Sequence, residues 1–277
     1  MQQFPKLEKS LFITELDLHL KVIVQKVLTL ISNAGGVGKT TVTLNIAYIA
    51  YQQGKSVVII DLDNNLSLND FTGLPQAPYE KSVERVFRED FDGNWYLTSI
   101  FDSDGKVSIV GGSDRFEPVL LANQKRREYI LQKQLKNYPL NCDLIIFDNR
   151  GGFDLIVDNG LAAATHILIP ARVGAKINTI PRLIEKIWNN VTDLELAKSP
   201  QLLGVVPNEC KKQSSVHSTI MSTLKEELKK QQVKLYPEIP HNAWICNSNT
   251  WQIPISAHRP GDSYNQIFVD IVQDLFS

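Results

Sequence analysis

The chain has 277 residues, of which 43% are hydrophobic and 21% charged, and 29 Lys and Arg against 30 Asp and Glu leave a net charge of −1. That balance excludes extended disorder and a polycation, so binding to nucleic acid or to a membrane requires a local patch. Cys142, Cys210 and Cys246 form no CxxC pair, which argues against a disulfide framework and against zinc or cluster binding. No apolar run reaches the ~18 residues of a membrane span, and MQQFPKLEKS lacks a signal-peptide profile, so the expectation is a cytoplasmic protein.

Along the chain, short β-branched runs alternate with helical stretches. The predicted strands are Val27 to Ile31, Ser56 to Ile60, Val107 to Val110, Leu144 to Phe147, His166 to Ile169 and Leu202 to Val206. Continuous apolar runs of this length suit strands buried on both faces, as in a parallel sheet. Between the first two, TTVTLNIAYIAYQQG is apolar at helical spacing and closes on Gly54, a residue suited to a helix C-terminus. Strand, helix and strand in about 30 residues make a βαβ unit. Its repetition predicts an α/β fold, a doubly wound and mostly parallel sheet flanked by helices. No repeat or low-complexity segment interrupts the chain, so one domain is expected over 26–277, with residues 1–25 as an N-terminal extension of unassigned role.

After the first strand comes Ser32-Asn33-Ala34-Gly35-Gly36-Val37-Gly38-Lys39-Thr40-Thr41, and then the helix. Glycines let backbone N–H groups turn inward around phosphate oxygens, and the helix N-terminus adds a favourable dipole. Gly35 to Thr41 therefore read as a nucleotide cradle, with Lys39 reaching the terminal phosphates and the Thr40 hydroxyl a Mg²⁺ ligand. The strict GxxxxGK[ST] pattern fails at one position, where Asn33 stands in place of the first Gly. Asp61 and Asp63 end the second strand in IIDLDNN, and Asp148 ends another in DLIIFDNRGG. Ligands bind at strand C-termini in such sheets, so all three carboxylates can converge on the Mg²⁺–phosphate region. Asp148 reads as the Walker B carboxylate, with Asp61 as a further metal candidate.

GGVGKTT, IIDLDNN, DLIIFDN and LAAATHILIPA, in that order, resemble the ParA/MinD family of deviant Walker ATPases over roughly nine-tenths of the chain. The resemblance implies ATP and Mg²⁺ as cofactors, slow ATP hydrolysis and an ATP-sandwich homodimer. It implies that Asp63 positions the attacking water and that Asn208, in VVPNEC, reads the adenine together with HNAWI. The family's signature lysine before GGVGKT is replaced here by Ala34. The carboxysome-positioning McdA subgroup also lacks it, and that likeness implies a substitute at Lys176 in IPARVGAKINT. A second departure follows Asp148: many relatives carry Pro-Pro, whereas this chain has Asn149-Arg150-Gly151-Gly152. The two glycines suit a switch segment, and Arg150 either contacts phosphate or faces solvent.

The family likeness further implies nucleoid-associated, non-specific DNA binding and a cargo adaptor as partner. Lys211 and Lys212 are the expected DNA contacts, within a segment 208–234 of net charge +3; a second basic segment, 122–136, carries +4. Either segment can equally be a solvated helix face. The tail YNQIFVDIVQDLFS has Asp270 and Asp274 between its apolar positions and no Lys or Arg, which suits a core-packing helix better than a membrane anchor. The expected function is an ATPase that positions a carboxysome. Plasmid or chromosome partition, and a metabolic enzyme using ATP to activate a small molecule, are the alternatives.

Overall fold

The computed structural model describes residues 25–113, 125–172, 179–208, 215–241 and 252–277. The chain runs β1 (Lys26–Leu30), α1 (Lys39–Gln52), β2 (Val57–Leu62), α2 (Ser67–Thr72), β3 (Thr98–Ser99), β4 (Val107–Val110) and α3 (Ile130–Asn137). It continues with β5 (Leu144–Asn149), α4 (Leu155–Ala163), β6 (His166–Arg172), α5 (Ile180–Asp193), β7 (Gln201–Asn208) and α6 (Ser215–Lys230). It closes with the short α7 (Ile255–His258) and with α8 (Asn265–Phe276). The seven strands form one sheet in the order β3-β4-β2-β5-β1-β6-β7. Every pairing is parallel except that of β3 with β4.

The apolar runs form strands because both of their faces are covered. In β2, Val57 and Ile59 pack with α1 and α8, while Val58, Ile60 and Leu62 pack with α3 and α4 on the other face. Leu144 and Ile146 of β5 alternate with Ile145 and Phe147 in the same way, following the two-residue period of a strand. Two extra strand features escape that pattern. β3 is two exposed residues long, and β7 is bordered by residues 234–239, whose bonds include Val205 N–H to Lys234 O at 2.9 Å and Ile239 N–H to Pro207 O at 2.8 Å. A covered edge cannot recruit a foreign strand.

The tail behaves as its acidic polar face requires. Ile267, Phe268, Ile271, Val272 and Leu275 of α8 are buried in the core shared with α1. Asp274 accepts hydrogen bonds from Tyr236 Oη at 2.6 Å and from Lys234. No helix among the described residues is long and apolar enough to cross a membrane. Residues 1–24 lie outside the described residues, so the proposed N-terminal extension has no structural account.

Chain order and sheet order together fix where a ligand can sit. β1 lies centrally, with β5 on one side and β6 on the other, and Leu30 and Asp61 both register with Asp148. The loops leaving β1, β2 and β5 therefore emerge side by side at one edge of the sheet, where the winding changes direction.

Candidate functional site

The loop 32–38 turns through two left-handed glycines, Gly36 at φ 68° and Gly38 at φ 88°. Gly38 also has to be glycine for space, because a Cβ there would stand 1.9 Å from Asn208 Nδ2. α1 then starts at Lys39 with no side-chain cap and no acid in its first turn. Its leading N–H groups are thus free to meet an anion, with the helix dipole reinforcing them.

Lys39 and Thr40 are both buried. The Lys39 ammonium donates to Ser32 Oγ at 3.0 Å, and Ser32 Oγ donates to Ala34 O at 2.8 Å. Burial lowers the Lys39 pKa, opposed by the negative charges of Asp148 and Asp63. Thr40 Oγ1 donates to Asp148 Oδ2 at 2.7 Å, and Thr43 Oγ1 reaches Asp148 Oδ1 at 3.4 Å. The Asp148 carboxyl is pushed up to about 6 by burial, against the Thr40 hydrogen bond and the Lys39 charge. Asp61, its register partner, is 1% exposed; burial and then the Asp148 charge raise its pKa well above the usual range. Asp61 Oδ1 accepts the Asp63 N–H at 3.0 Å, whereas Oδ2 has no hydrogen-bond partner among the described residues.

Two buried carboxyls destabilised as anions, one with an open oxygen, and a threonine hydroxyl make a hard oxygen donor set that fits Mg²⁺. Among the described residues, no three His, Cys, Asp or Glu side chains come close enough to hold a metal alone. That also fits, since Mg²⁺ commonly takes one or two carboxylates and completes its shell with phosphates and water. Asp63 lies beyond the strand end, where its Oδ1 accepts from Asn65 N at 3.0 Å and Nδ2 at 2.7 Å.

Asn208, the last residue of β7, donates from Nδ2 to Val37 O at 2.9 Å, and its buried Oδ1 has no partner among the described residues. An unmet acceptor beside the phosphate loop is able to take an N–H from a ligand. Gly35 and Gly36 are exposed on the loop, Val37 is buried beneath it, and the Thr41 carbonyl accepts from Asn45 Nδ2 at 2.7 Å. The expected cradle, Gly35 to Thr41, is thus brought together with Asp61, Asp148 and Asn208.

Other expected residues fare differently. Lys176, Lys211 and Lys212 lie outside the described residues, as do residues 242–251 with most of HNAWI. Arg150 does not simply face solvent: its side chain is 14% exposed and pairs with Asp154 at 3.4 Å. Asp154 in turn caps α4 by accepting from Ile156 N at 2.9 Å and Val157 N at 3.0 Å. In the basic segments, Lys125, Arg126, Arg127, Lys133 and Lys136 are exposed, while Lys230 pairs with Glu227 and Lys234 with Asp274.

Three residues that sequence reasoning passed over also build the site. Ser32 holds the Lys39 ammonium. Asn33 Nδ2 donates to Thr179 Oγ1 at 2.9 Å. Asn149 is fully buried and ties β5 to β1, donating to Thr29 Oγ1 at 2.7 Å and Leu30 O at 3.0 Å. The signal for Asn149 was a polar residue directly extending an apolar strand; for Ser32 and Asn33 there was none beyond their adjacency to the glycines.

Residues 25–202 match the family described as AAA domain. The maintenance of carboxysome distribution protein A of Synechococcus elongatus is 24% identical over 182 residues, which are 65% of this chain and 70% of that protein. The sporulation initiation inhibitor protein Soj of Bacillus subtilis is 22% identical over 263 residues, 90% of this chain and 98% of Soj. Among solved structures, a Cyanothece McdA in complex with ATP superposes with a TM-score of 0.78 at 21% identity, covering 91% of this chain and 96% of that one. At that identity the structural likeness speaks for the fold.

Proposed function

The chain belongs to the AAA-domain family and is of the ParA/MinD type, and on that premise we propose that it is an ATPase that dimerises around ATP and positions a cargo on the nucleoid. The observation that carries the nucleotide part is the convergence of Lys39, Thr40 and Asp148 at the mouth of the glycine loop, beside the open oxygen of Asp61. In this reading Lys39 leaves Ser32 to neutralise the terminal phosphates. Thr40, Asp148 and Asp61 hold Mg²⁺, which when bound offsets the β- and γ-phosphate charge. Asp63 anchors its turn through Oδ1 and orients the attacking water, and the Asn208 Oδ1 accepts from the adenine amino group. Lys176 takes the place of the lysine absent at Ala34 and reaches the partner's nucleotide.

In the ATP-bound dimer the protein binds DNA without sequence preference through Lys211 and Lys212, and an adaptor protein releases it by stimulating hydrolysis. The cargo we favour is a carboxysome, supported by the likeness to the carboxysome distribution protein. Plasmid or chromosome partition is the second reading, supported by the longer match to Soj. The test is a gel shift of unrelated DNA fragments with and without Mg-ATP. Binding is expected only with ATP, with a log–log salt slope near about −0.9 per phosphate contact. Replacing Lys211 and Lys212 by Ala should reduce that slope by up to about 2 on every fragment. Sequence-specific or salt-insensitive binding would contradict the reading.

A further inference from the structure

The chain's two departures from the ParA/MinD pattern, Ala34 and the Asn149–Gly152 segment, lie against each other. A Cβ built on Gly151 would stand 2.6 Å from the carbonyl carbon of Ala34, 2.6 Å from Gly35 N and 2.8 Å from Ala34 O. The peptide joining Ala34 to Gly35 therefore rests directly on the Gly151 Cα. The adjacent Gly152 N–H donates to Ser32 O at 2.9 Å, so the same two residues hold the first turn of the phosphate loop by contact and by hydrogen bond. On its other side that turn is held at Thr179, just before α5, through Asn33. The two glycines are needed for different reasons. Gly152 adopts φ 98° with open space around its missing side chain, whereas Gly151 has no left-handed backbone and is required by the contact alone.

We propose that Gly151 is a positioning residue for the Lys39 ammonium. The path is short: the Gly151–Gly152 loop fixes Ser32 and the 34–35 peptide, and Ser32 Oγ, held by Ala34 O, receives the ammonium. Asp148 stands three residues before Gly151 on the same strand end, so this seat sets the phosphate-binding cation and the candidate metal carboxylate relative to each other. A methyl group at 151 forces the two loops apart by the shortfall in contact distance, and the Ser32 seat of the Lys39 ammonium moves with its loop. The inference rests on the nucleotide reading of the site.

The experiment is calorimetric titration with Mg-ADP of wild type, Gly151→Ala, and Gly151→Ala combined with Ala34→Gly, alongside thermal unfolding without nucleotide. For Gly151→Ala the expected loss of Mg-ADP affinity is at least about tenfold, with the nucleotide-free midpoint within a few degrees of wild type. Ala34→Gly makes the opposing peptide more pliable and should restore at least about half of that loss on a logarithmic scale. Affinity within about twofold of wild type in Gly151→Ala overturns the proposal. So does a midpoint that falls by more than about 10 °C and is not restored by Ala34→Gly, because the residue then serves packing only. A wild-type protein that binds no nucleotide is a separate result, and it removes the nucleotide reading itself.

Discussion

At the N-terminal edge of the sheet, Thr165 Oγ1 donates to Val27 O at 3.0 Å and accepts from Val27 N at 2.8 Å. Beside it, Asp143 Oδ2 accepts from both Ser56 N and Ser56 Oγ at 2.8 Å. At the C-terminal edge of the same sheet, Asp61 Oδ2, Asn149 Oδ1 and Asn208 Oδ1 are buried with no partner among the described residues. A buried polar atom left unmet costs free energy, and such atoms are rare in folded proteins. Two of them, Asp61 Oδ2 beside Asp148 and Asn208 Oδ1 beside the glycine loop, border the expected cradle, so this edge holds polar atoms that the fold itself does not satisfy. The carboxyl pKa values follow the same division. Burial raises Asp61 and Asp148 at the C-terminal edge, whereas at the N-terminal edge the burial of Asp143 is outweighed by the Ser56 hydrogen bonds and the Lys55 charge together, which hold it below its usual value.

The contrast can be broken most forcefully at Lys39. Lys39→Ala should weaken Mg-ATP binding by about a hundredfold or more, since it removes the buried cation facing the phosphates; equilibrium dialysis with labelled ATP reads the change. Asp63→Ala should keep ATP binding within a few-fold yet lower hydrolysis by about two orders of magnitude, because the loss falls on water positioning and the Asn65 turn and not on the phosphate cradle. Phosphate release at the parent rate would remove Asp63 from the mechanism.

The effect of pH sharpens the comparison further. The Asp148 carboxyl, raised to about 6, favours the folded chain below the ordinary carboxylate range and disfavours it as pH climbs through that value. His166 acts in the opposite sense: depressed from 6.5 to about 4, it withdraws stability as pH falls across that interval. In the nucleotide-free chain the two slopes oppose each other over the same window. Mg-ADP relieves only the carboxyl side, so the rise in unfolding midpoint that it causes should grow between about pH 4.5 and 7. Thermal scans across that range check this, and a ligand effect independent of pH contradicts it. The smallest effect belongs to the N-terminal edge. Thr165→Val should cost about 1–2 kcal/mol of stability in urea unfolding and leave nucleotide affinity unchanged.

Much of this was legible in the residues. β2, β5 and β6 are buried on both faces and so appear as unbroken apolar runs, and the strand–glycine loop–helix order locates the cradle without further help. β3 was not legible because Thr98 and Ser99 are exposed and have no apolar period to betray a strand. The holding of Lys39 by Ser32 escaped because it depends on how the glycine loop closes on itself, and that of Asn33 by Thr179 because it spans the fold. The pairing of Arg150 with Asp154 was not visible for a similar reason: Asp154 had no evident role until α4 placed it at a helix cap. Asp61 and Asp148 were visible as strand-end acids, but their mutual register and unequal hydrogen bonding emerge only from the sheet.

The central claim, that the unmet groups at the C-terminal edge await a magnesium nucleotide, is tested most directly by isothermal titration of the full chain with ATP in the presence and absence of Mg²⁺. The account predicts saturable binding of one ATP per chain that weakens by at least about tenfold when EDTA removes the metal. Absence of ATP binding, or binding indifferent to Mg²⁺, would contradict it.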